Sequence, residues 1–156
     1  MEFLFENHKV FWHSSAHLMA LAVKNLYPDV KIAIGPSIEN GFYYDFDNLK
    51  IEENDLKNIE NEMKRIVKSK LDIKKNIVKK DEALQLFENE PYKIQLINGL
   101  EDNMEISTYE LGSFIDLCKG PHLENISEIK FIKLLSIAGA YWKGNSKNKM
   151  LTRIYG

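Results

Sequence analysis

The chain has 156 residues but only one cysteine, four prolines and no hydrophobic run long enough to cross a membrane. A single cysteine excludes an internal disulfide and is typical of a reducing compartment. A membrane-spanning helix needs roughly 20 apolar residues, and no segment approaches that length. The N-terminus carries acidic residues where a signal peptide would carry Lys or Arg. We therefore expect a cytoplasmic protein without a membrane partner.

The composition is otherwise that of a folded protein, with 44% hydrophobic and 28% charged residues, enough for one domain with a core. Acidic residues are absent after Glu128, whereas six basic residues follow it: Lys130, Lys133, Lys143, Lys147, Lys149 and Arg153. This basic tail on an acidic body either meets a phosphate backbone or only keeps the chain in solution. Charge alone does not choose between the two.

Hydrophobic periodicity and turn residues predict the order of the elements. Helices are predicted over residues 13–27, 55–70 and 81–90. Strands are predicted over residues 31–38, 42–46, 71–78, 105–109 and 114–118, and a last core strand within 131–142. A type I′ turn is expected at Asn40-Gly41, and a second hairpin turn around Gly112. Consecutive hairpins with helices that do not strictly alternate predict an α+β domain with a largely antiparallel sheet packed with helices.

Two pairs of side chains that can bind a metal or transfer protons are each spaced four residues apart. His13 and His17 lie one helical turn apart, which places both imidazoles on one helix face. Cys118 and His122 flank a Gly-Pro step, which indicates a tight loop at the end of a strand. Each residue taken singly is more simply explained as an ordinary, partly buried side chain. Together the two pairs predict one site where the loop meets the helix.

Four segments occur in order along the chain: HSSAHL at 13–18, IGP at 34–36, NGFYYD at 40–45 and DLCKGPH at 116–122. Together they resemble the editing domain of bacterial threonyl-tRNA synthetase, a member of the threonyl/alanyl-tRNA synthetase editing-domain superfamily. The resemblance covers nearly the whole chain. It implies an editing domain over residues 1–140 and, over 141–156, a linker toward a missing class II catalytic domain. The chain is thus expected to be part of a longer synthetase.

This resemblance implies hydrolysis of serine wrongly attached to tRNA(Thr). Serine differs from threonine by one methyl group, and a binding site gains only about 1–3 kcal/mol from such a difference. A second site that hydrolyses the smaller product corrects the remaining errors. The implied partners are the 3′ end of tRNA(Thr) carrying serine and the remaining synthetase domains. The full-length enzyme is expected to use ATP, Mg and a zinc ion in its catalytic domain.

Residue roles follow partly from chemistry and partly from the resemblance. Imidazole titrates near neutral pH, so His13 and His17 are expected to orient water or transfer protons. Asp116 shares a strand face with Cys118 by two-residue alternation and is expected to anchor the substrate ammonium. Only the resemblance assigns Lys93 to the ester and Tyr44 to the pocket. The expected catalytic residues are His13, His17, Lys93, Cys118 and His122, and the expected substrate-binding residues are Tyr44 and Asp116.

Zinc is the main chemical alternative, because His13, His17, Cys118 and His122 form a suitable ligand set. The HExxH motif of zinc proteases is absent, since Ser14 and Ser15 stand where the glutamate would be. Alanyl-type relatives hold zinc with similar spacing, whereas threonyl domains are thought to edit without a metal. We therefore expect that editing requires none.

Two other functions stay open at this point. One is an alanyl-type or free-standing deacylase that clears serine from tRNA(Ala). The other is a non-catalytic module that binds tRNA or zinc and uses the basic tail. The Gly120-Pro121-His122 triplet and the linker-like tail favour the threonyl type.

Overall fold

The computed structural model describes residues 2–156, with side chains from residue 8 onward. Its elements in chain order are α1 (Glu2–Leu26), β1 (Lys31–Ile32), β2 (Ser37–Ile38), β3 (Gly41–Asp47), α2 (Asp55–Lys68), β4 (Ile73–Val78), α3 (Lys80–Leu86), α4 (Pro91–Asn98), β5 (Ile106–Leu111), β6 (Phe114–Leu117), β7 (Ser136–Tyr141) and β8 (Met150–Tyr155). Among these residues, no helix combines the length and the apolar character that crossing a bilayer requires.

The strands form two antiparallel sheets. The larger sheet has the order β1-β3-β8-β7, and β2 also pairs with β3. The smaller sheet has the order β4-β5-β6. The predicted α+β class with antiparallel pairing is confirmed, although the pairing is divided between two sheets rather than one.

Helix α1 lies at the centre of the domain. Residues 14–23 are all buried, so this stretch is covered on every side, as expected for a helix inside a core. The main core joins α1 to α2, β3 and β8, with Met19, Met63 and Ile154 fully buried. Because α1 also contacts β5 and β6, its polar residues at 13, 14 and 17 come to lie beside the smaller sheet.

Three boundaries differ from the sequence predictions. Helix α1 begins at Glu2 rather than at residue 13, because no Gly or Pro interrupts the preceding residues. The segment predicted as one helix over 81–90 is α3, and the additional helix α4 follows it. Pro91 was expected to end a helix, but it occupies the first turn of α4, where proline's missing N–H costs no hydrogen bond.

The first hairpin exists, but its turn is not the predicted type I′ turn at Asn40-Gly41. Ile38 pairs with Gly41, so the two-residue loop is Glu39-Asn40, and Asn40 does not have a positive φ. Gly41 has a φ of +150° and begins β3, where an added Cβ would lie 2.2 Å from the carbonyl oxygen of Gly156. The glycine is therefore required by a close backbone contact with the end of β8.

The last two strands differ from the sequence prediction, which placed a core strand within residues 131–142 and a linker after it. Strand β7, from the segment expected to hold a core strand, is only partly buried and lies at the edge of the sheet. Strand β8 lies between β3 and β7, although it comes from the segment predicted as a linker. Residue 140 therefore does not mark the end of the folded domain. A catalytic domain beyond residue 156 stays a prediction.

Burial of β8 leads to a stability prediction. Ile154→Ala should lower the free energy of unfolding by about 2–5 kcal/mol, because Ile154 is fully buried and the change leaves a cavity. Met150→Ala, in the same strand but 54% exposed, is the matched control and should change it by less than about 0.5 kcal/mol. Urea unfolding measures both, and equal effects would show that β8 is not a core strand.

Candidate active site

The loop after β6 meets α1 and joins the two predicted pairs. The ring of His122 lies 4.2 Å from that of His17 and 5.6 Å from that of His13, measured between centroids. His122 Nε2 is also 3.1 Å from Cys118 Sγ. Residues about a hundred positions apart thus share one cluster, as their spacing predicts. His17 is buried, whereas the other three side chains are partly exposed.

Ser14 holds this loop against the helix. Its Oγ, on a fully buried residue, accepts a hydrogen bond from the Leu123 N–H at 2.9 Å and lies 3.1 Å from His122 Nδ1. Both ring nitrogens of His122 therefore have protein partners, Ser14 on one side and Cys118 on the other. Sequence reasoning used Ser14 only to exclude a protease motif. The available signal was a serine three residues before His17, on the same face of α1.

Tyr109 forms the second support of the loop. Its ring lies 4.3 Å from that of His122 in an edge-on arrangement. Gly120 has a φ of +76°, and an added Cβ would lie only 1.9 Å from the Tyr109 hydroxyl oxygen. Only glycine fits this position, because both its backbone conformation and the space beside Tyr109 exclude a side chain.

Asp116 is the buried centre of the site, with 2% of its surface exposed. Its Oδ2 lies 3.2 Å from His17 Nε2 and accepts a hydrogen bond from the Tyr44 hydroxyl at 2.8 Å. Its Oδ1 lies 2.5 Å from Lys93 Nζ and accepts from the Leu117 N–H at 2.7 Å. One carboxylate therefore ties together α1, β3, α4 and β6.

These contacts show where the predicted substrate-binding residues lie. Tyr44 is fully buried with its hydroxyl on Asp116, whereas its neighbour Tyr43 lies on the opposite face, 3.8 Å from the Arg153 guanidinium. Lys93, which composition could not distinguish from other lysines, is 2% exposed. Because Asp116 already accepts from several groups, a substrate ammonium would have to compete with them. The contacts of these residues with a substrate stay predictions.

Burial keeps the imidazoles neutral at pH 7. It lowers the pKa of His17 to about 4, although the charge of Asp116 opposes the shift. Burial also lowers the pKa of His122 strongly, assisted by the neighbouring imidazoles, and that of His13, assisted by the charge of Lys9. A neutral imidazole can accept a proton from water, so the cluster has candidate general bases.

Of the two acidic groups at the site, the Cys118 thiol is neutral and the Asp116 carboxyl is charged. Burial raises the pKa of the Cys118 thiol, so the sulfur stays protonated near neutral pH. Burial would also raise the pKa of Asp116, but the ammonium of Lys93, the adjacent imidazole of His17 and the hydrogen bonds from Lys93 and Tyr44 outweigh it and hold that pKa below its usual value. The carboxylate therefore stays ionised beside the Lys93 ammonium.

Three of the four predicted metal ligands form a compact donor set. The donor atoms of His13, Cys118 and His122 lie within 4.8 Å of one another. Two nitrogens and a sulfur suit zinc with an open fourth position. His17 lies outside this set and its Nε2 faces Asp116, so the geometry favours three ligands over the predicted four. The carboxylate is the physical reason, because it attracts the imidazole away from the thiol.

Residues 106–155, which include Cys118 and His122, match the family described as the threonyl and alanyl tRNA synthetase second additional domain. This segment, which includes the loop of the candidate site, is therefore similar to that family of synthetase-associated domains. It is 51% identical over 154 residues to the threonine–tRNA ligase of Caldanaerobacter subterraneus subsp. tengcongensis, an alignment covering 97% of this chain and 24% of the relative.

Two further relatives have the same name. The chain is 50% identical over 151 residues to the threonine–tRNA ligase of Protochlamydia amoebophila, covering 96% of this chain and 23% of the relative. It is 53% identical over 154 residues to that of Finegoldia magna, covering 97% and 24%. Nearly the whole chain is thus similar to a segment that makes up about a quarter of the length of each of these threonine–tRNA ligases. This similarity confirms the resemblance stated from its motifs.

The shifted imidazoles predict acid sensitivity. In an unfolded chain histidine titrates near pH 6.5, whereas folded His17 titrates near pH 4. Between these values the unfolded state binds a proton that the folded state does not. The free energy of unfolding should therefore fall with decreasing pH over that window, by up to about 1.4 kcal/mol per pH unit for each such group.

Urea unfolding at several pH values tests this dependence. His17→Asn should make the slope between pH 6.5 and pH 4 shallower. His8→Asn removes an exposed imidazole from the same helix and controls for the loss of a histidine as such. A slope that is the same in wild type and in the His17 variant would contradict the buried neutral imidazole.

Proposed function

We propose that this domain hydrolyses the ester bond of seryl-tRNA(Thr), removing serine from the 3′-terminal ribose. The observation that carries the proposal is the joining of three neutral imidazoles and a buried, ion-paired lysine in one partly exposed cluster. The identity of about 50% to threonine–tRNA ligases supports the choice of tRNA. Bases that are neutral at pH 7 beside a fixed positive charge suit ester hydrolysis.

The reaction needs a base, a proton donor and stabilisation of negative charge. Water attacks the ester carbonyl carbon, a base takes one of its protons, and the carbonyl oxygen becomes negative. The bond to the ribose oxygen then breaks and that oxygen takes a proton, leaving serine and tRNA with a free 3′ end. General acid–base assistance of this kind contributes about 100- to 10,000-fold to the rate.

We assign the general base to His13. Of the two imidazoles that α1 contributes to the cluster, His13 is the more accessible, since it is partly exposed, whereas His17 is buried with its Nε2 on Asp116. His13 therefore reaches solvent water and is neutral near pH 7. His17, fixed by Asp116, orients the water or the substrate from the inner side of the cluster.

We assign Lys93 to the ester, where its ammonium offsets the negative charge of the intermediate or protonates the leaving oxygen. Its pairing with Asp116 fixes the ammonium in place before the substrate arrives. Asp116 is then a positioning residue for Lys93 and His17, because its oxygens are occupied. This replaces the predicted role of binding the substrate ammonium.

Cys118 and His122 form the wall against the amino acid in this proposal. The wall is held by Ser14 and by the close contact between Gly120 and Tyr109, so it cannot easily move outward. A rigid wall explains how a site could accept serine and exclude threonine, because the additional methyl group has no space to displace.

The larger context is inferred from the relatives. The chain spans 24% of the length of the first relative, so ligation of threonine to tRNA(Thr), with ATP and Mg, belongs to the remainder of such a protein. We propose that the tRNA 3′ end and those other domains are the partners of this domain, in the cytoplasm.

Deacylation assays with three aminoacyl-tRNA substrates test the proposal against its alternatives. We expect release of serine from seryl-tRNA(Thr), and slower release from seryl-tRNA(Ala) and from threonyl-tRNA(Thr). His13→Ala should lower kcat by about 100- to 10,000-fold without changing the circular dichroism spectrum, whereas His8→Ala on the same helix should not. Preference for seryl-tRNA(Ala) would support the alanyl-type deacylase instead. No release from any substrate would leave only a binding module.

The metal requirement is tested separately. We propose that hydrolysis proceeds without a metal, because His122 already contacts Cys118 and Ser14, and His17 is held by Asp116. If zinc binds, His13, Cys118 and His122 would hold it and it would polarise a bound water. Dialysis against a chelator should leave the rate of serine release unchanged. A zinc content near one per chain that is required for activity would contradict this.

A further inference from the structure

The basic residues after Glu128 do not form one positive surface. Three of them pair with acidic side chains of the body: Lys133 with Glu60 at 3.6 Å, Lys149 with Asp47 at 2.9 Å and Arg153 with Asp45 at 2.7 Å. Half of the charge that the sequence concentrates in the tail is therefore neutralised where it lies. The six residues therefore do not act together as one nucleic-acid surface.

A different positive surface lies between α2 and residues 129–132. We name it the α2 groove, a recess of about 350 Å³. Its floor is apolar and includes Met63 and Ile129, both buried. Its rim carries three exposed lysines, Lys64 and Lys68 from α2 and Lys130 from the segment that follows Glu128.

The charge of this rim is not compensated. No aspartate or glutamate lines the groove. Within residues 8–156, none of Lys64, Lys68 and Lys130 forms an ion pair. Three ammonium groups around an apolar floor therefore attract an anionic partner.

Phe131 identifies the kind of anion. It borders the groove beside Lys130 and is 89% exposed, so the face of its ring is accessible to a partner. An aromatic ring that projects among lysines matches the way proteins bind single strands, with bases stacked on rings and phosphates on cations. An acidic amphipathic helix would instead need a continuous apolar trough, and here the largest apolar side chain projects outward.

We propose that the α2 groove binds an RNA strand, with its phosphates on Lys64, Lys68 and Lys130 and one base on Phe131. The groove and the active site draw residues from the same two segments of the chain. Leu18 of its floor follows His17 on α1, and the segment carrying Phe131 continues from the loop of His122. If the proposed function holds, the strand is part of the tRNA whose 3′ end enters the site.

Binding to fluorescent tRNA(Thr) and to a short single-stranded RNA tests the aromatic contact. Phe131→Ala should weaken binding about tenfold, within the range for the loss of one stacked base. Leu135→Ala removes a different exposed apolar side chain, 63% exposed, and should leave binding unchanged. Equal effects of the two variants would overturn the proposal.

The lysines are tested by the salt dependence of binding. Replacing Lys64, Lys68 and Lys130 by Gln should reduce the slope of log K against log salt concentration by about two for a single strand. A control with Lys74, Lys75 and Lys147 replaced by Gln loses the same three charges, and these lysines are also exposed. An equal loss of slope in both variants would mean only diffuse attraction and would overturn the groove. Competition by an acidic helical peptide but not by RNA would also overturn it.

A small ester substrate separates RNA binding by the groove from the proposed hydrolysis. Hydrolysis of seryl-adenosine, which lacks the RNA strand, needs only the active site, and the Phe131 and triple-lysine variants should keep the wild-type rate. A lower rate on this small ester would show that the variants damage the active site, and would overturn their use as evidence for a groove. RNA binding by the groove without any ester hydrolysis would support the groove and refute the editing reaction.

Discussion

The site depends on a single buried carboxylate, Asp116. It comes from β6 and holds His17 of α1, Tyr44 of β3 and Lys93 of α4 in one set of contacts. A buried charge is costly unless it is paired and hydrogen-bonded, and removing one partner of such a pair costs about 3–5 kcal/mol. The same contacts that keep Asp116 ionised therefore fix the positions of the groups around it. One electrostatic requirement therefore arranges this part of the site.

A second set of contacts works by shape rather than by charge. The loop between Cys118 and His122 lies against α1 because Ser14 offers an oxygen to its backbone and to its imidazole. On the other side, Gly120 fits against Tyr109 only because it has no side chain. The loop thus has little freedom to move. This rigidity is what a site needs if one methyl group is to decide whether a substrate enters.

Much of the architecture could be predicted from local patterns, and the errors have specific causes. Periodicity predicted α2 and both hairpins, since these elements bury one face and turn at glycine or polar residues. It misplaced the first turn because Gly41 serves a contact with Gly156 at the far end of the chain. It predicted a linker in place of β8 because nothing local indicates that this strand inserts beside β3. Of the site, the two spaced pairs were visible in the sequence, whereas Ser14 and Tyr109 were not recognised.

Spacing and motif order in the chain were enough to establish the α+β class, the two pairs of candidate residues and the synthetase family. These properties depend on residues that are neighbours along the chain. The partner of His17, the neutralisation of the basic tail and the groups surrounding Asp116 could be settled only by the folded molecule. Each of them depends on which side chains meet across distances of many tens of residues, and the free energy of a charge is set by those neighbours and by burial rather than by its own position in the sequence.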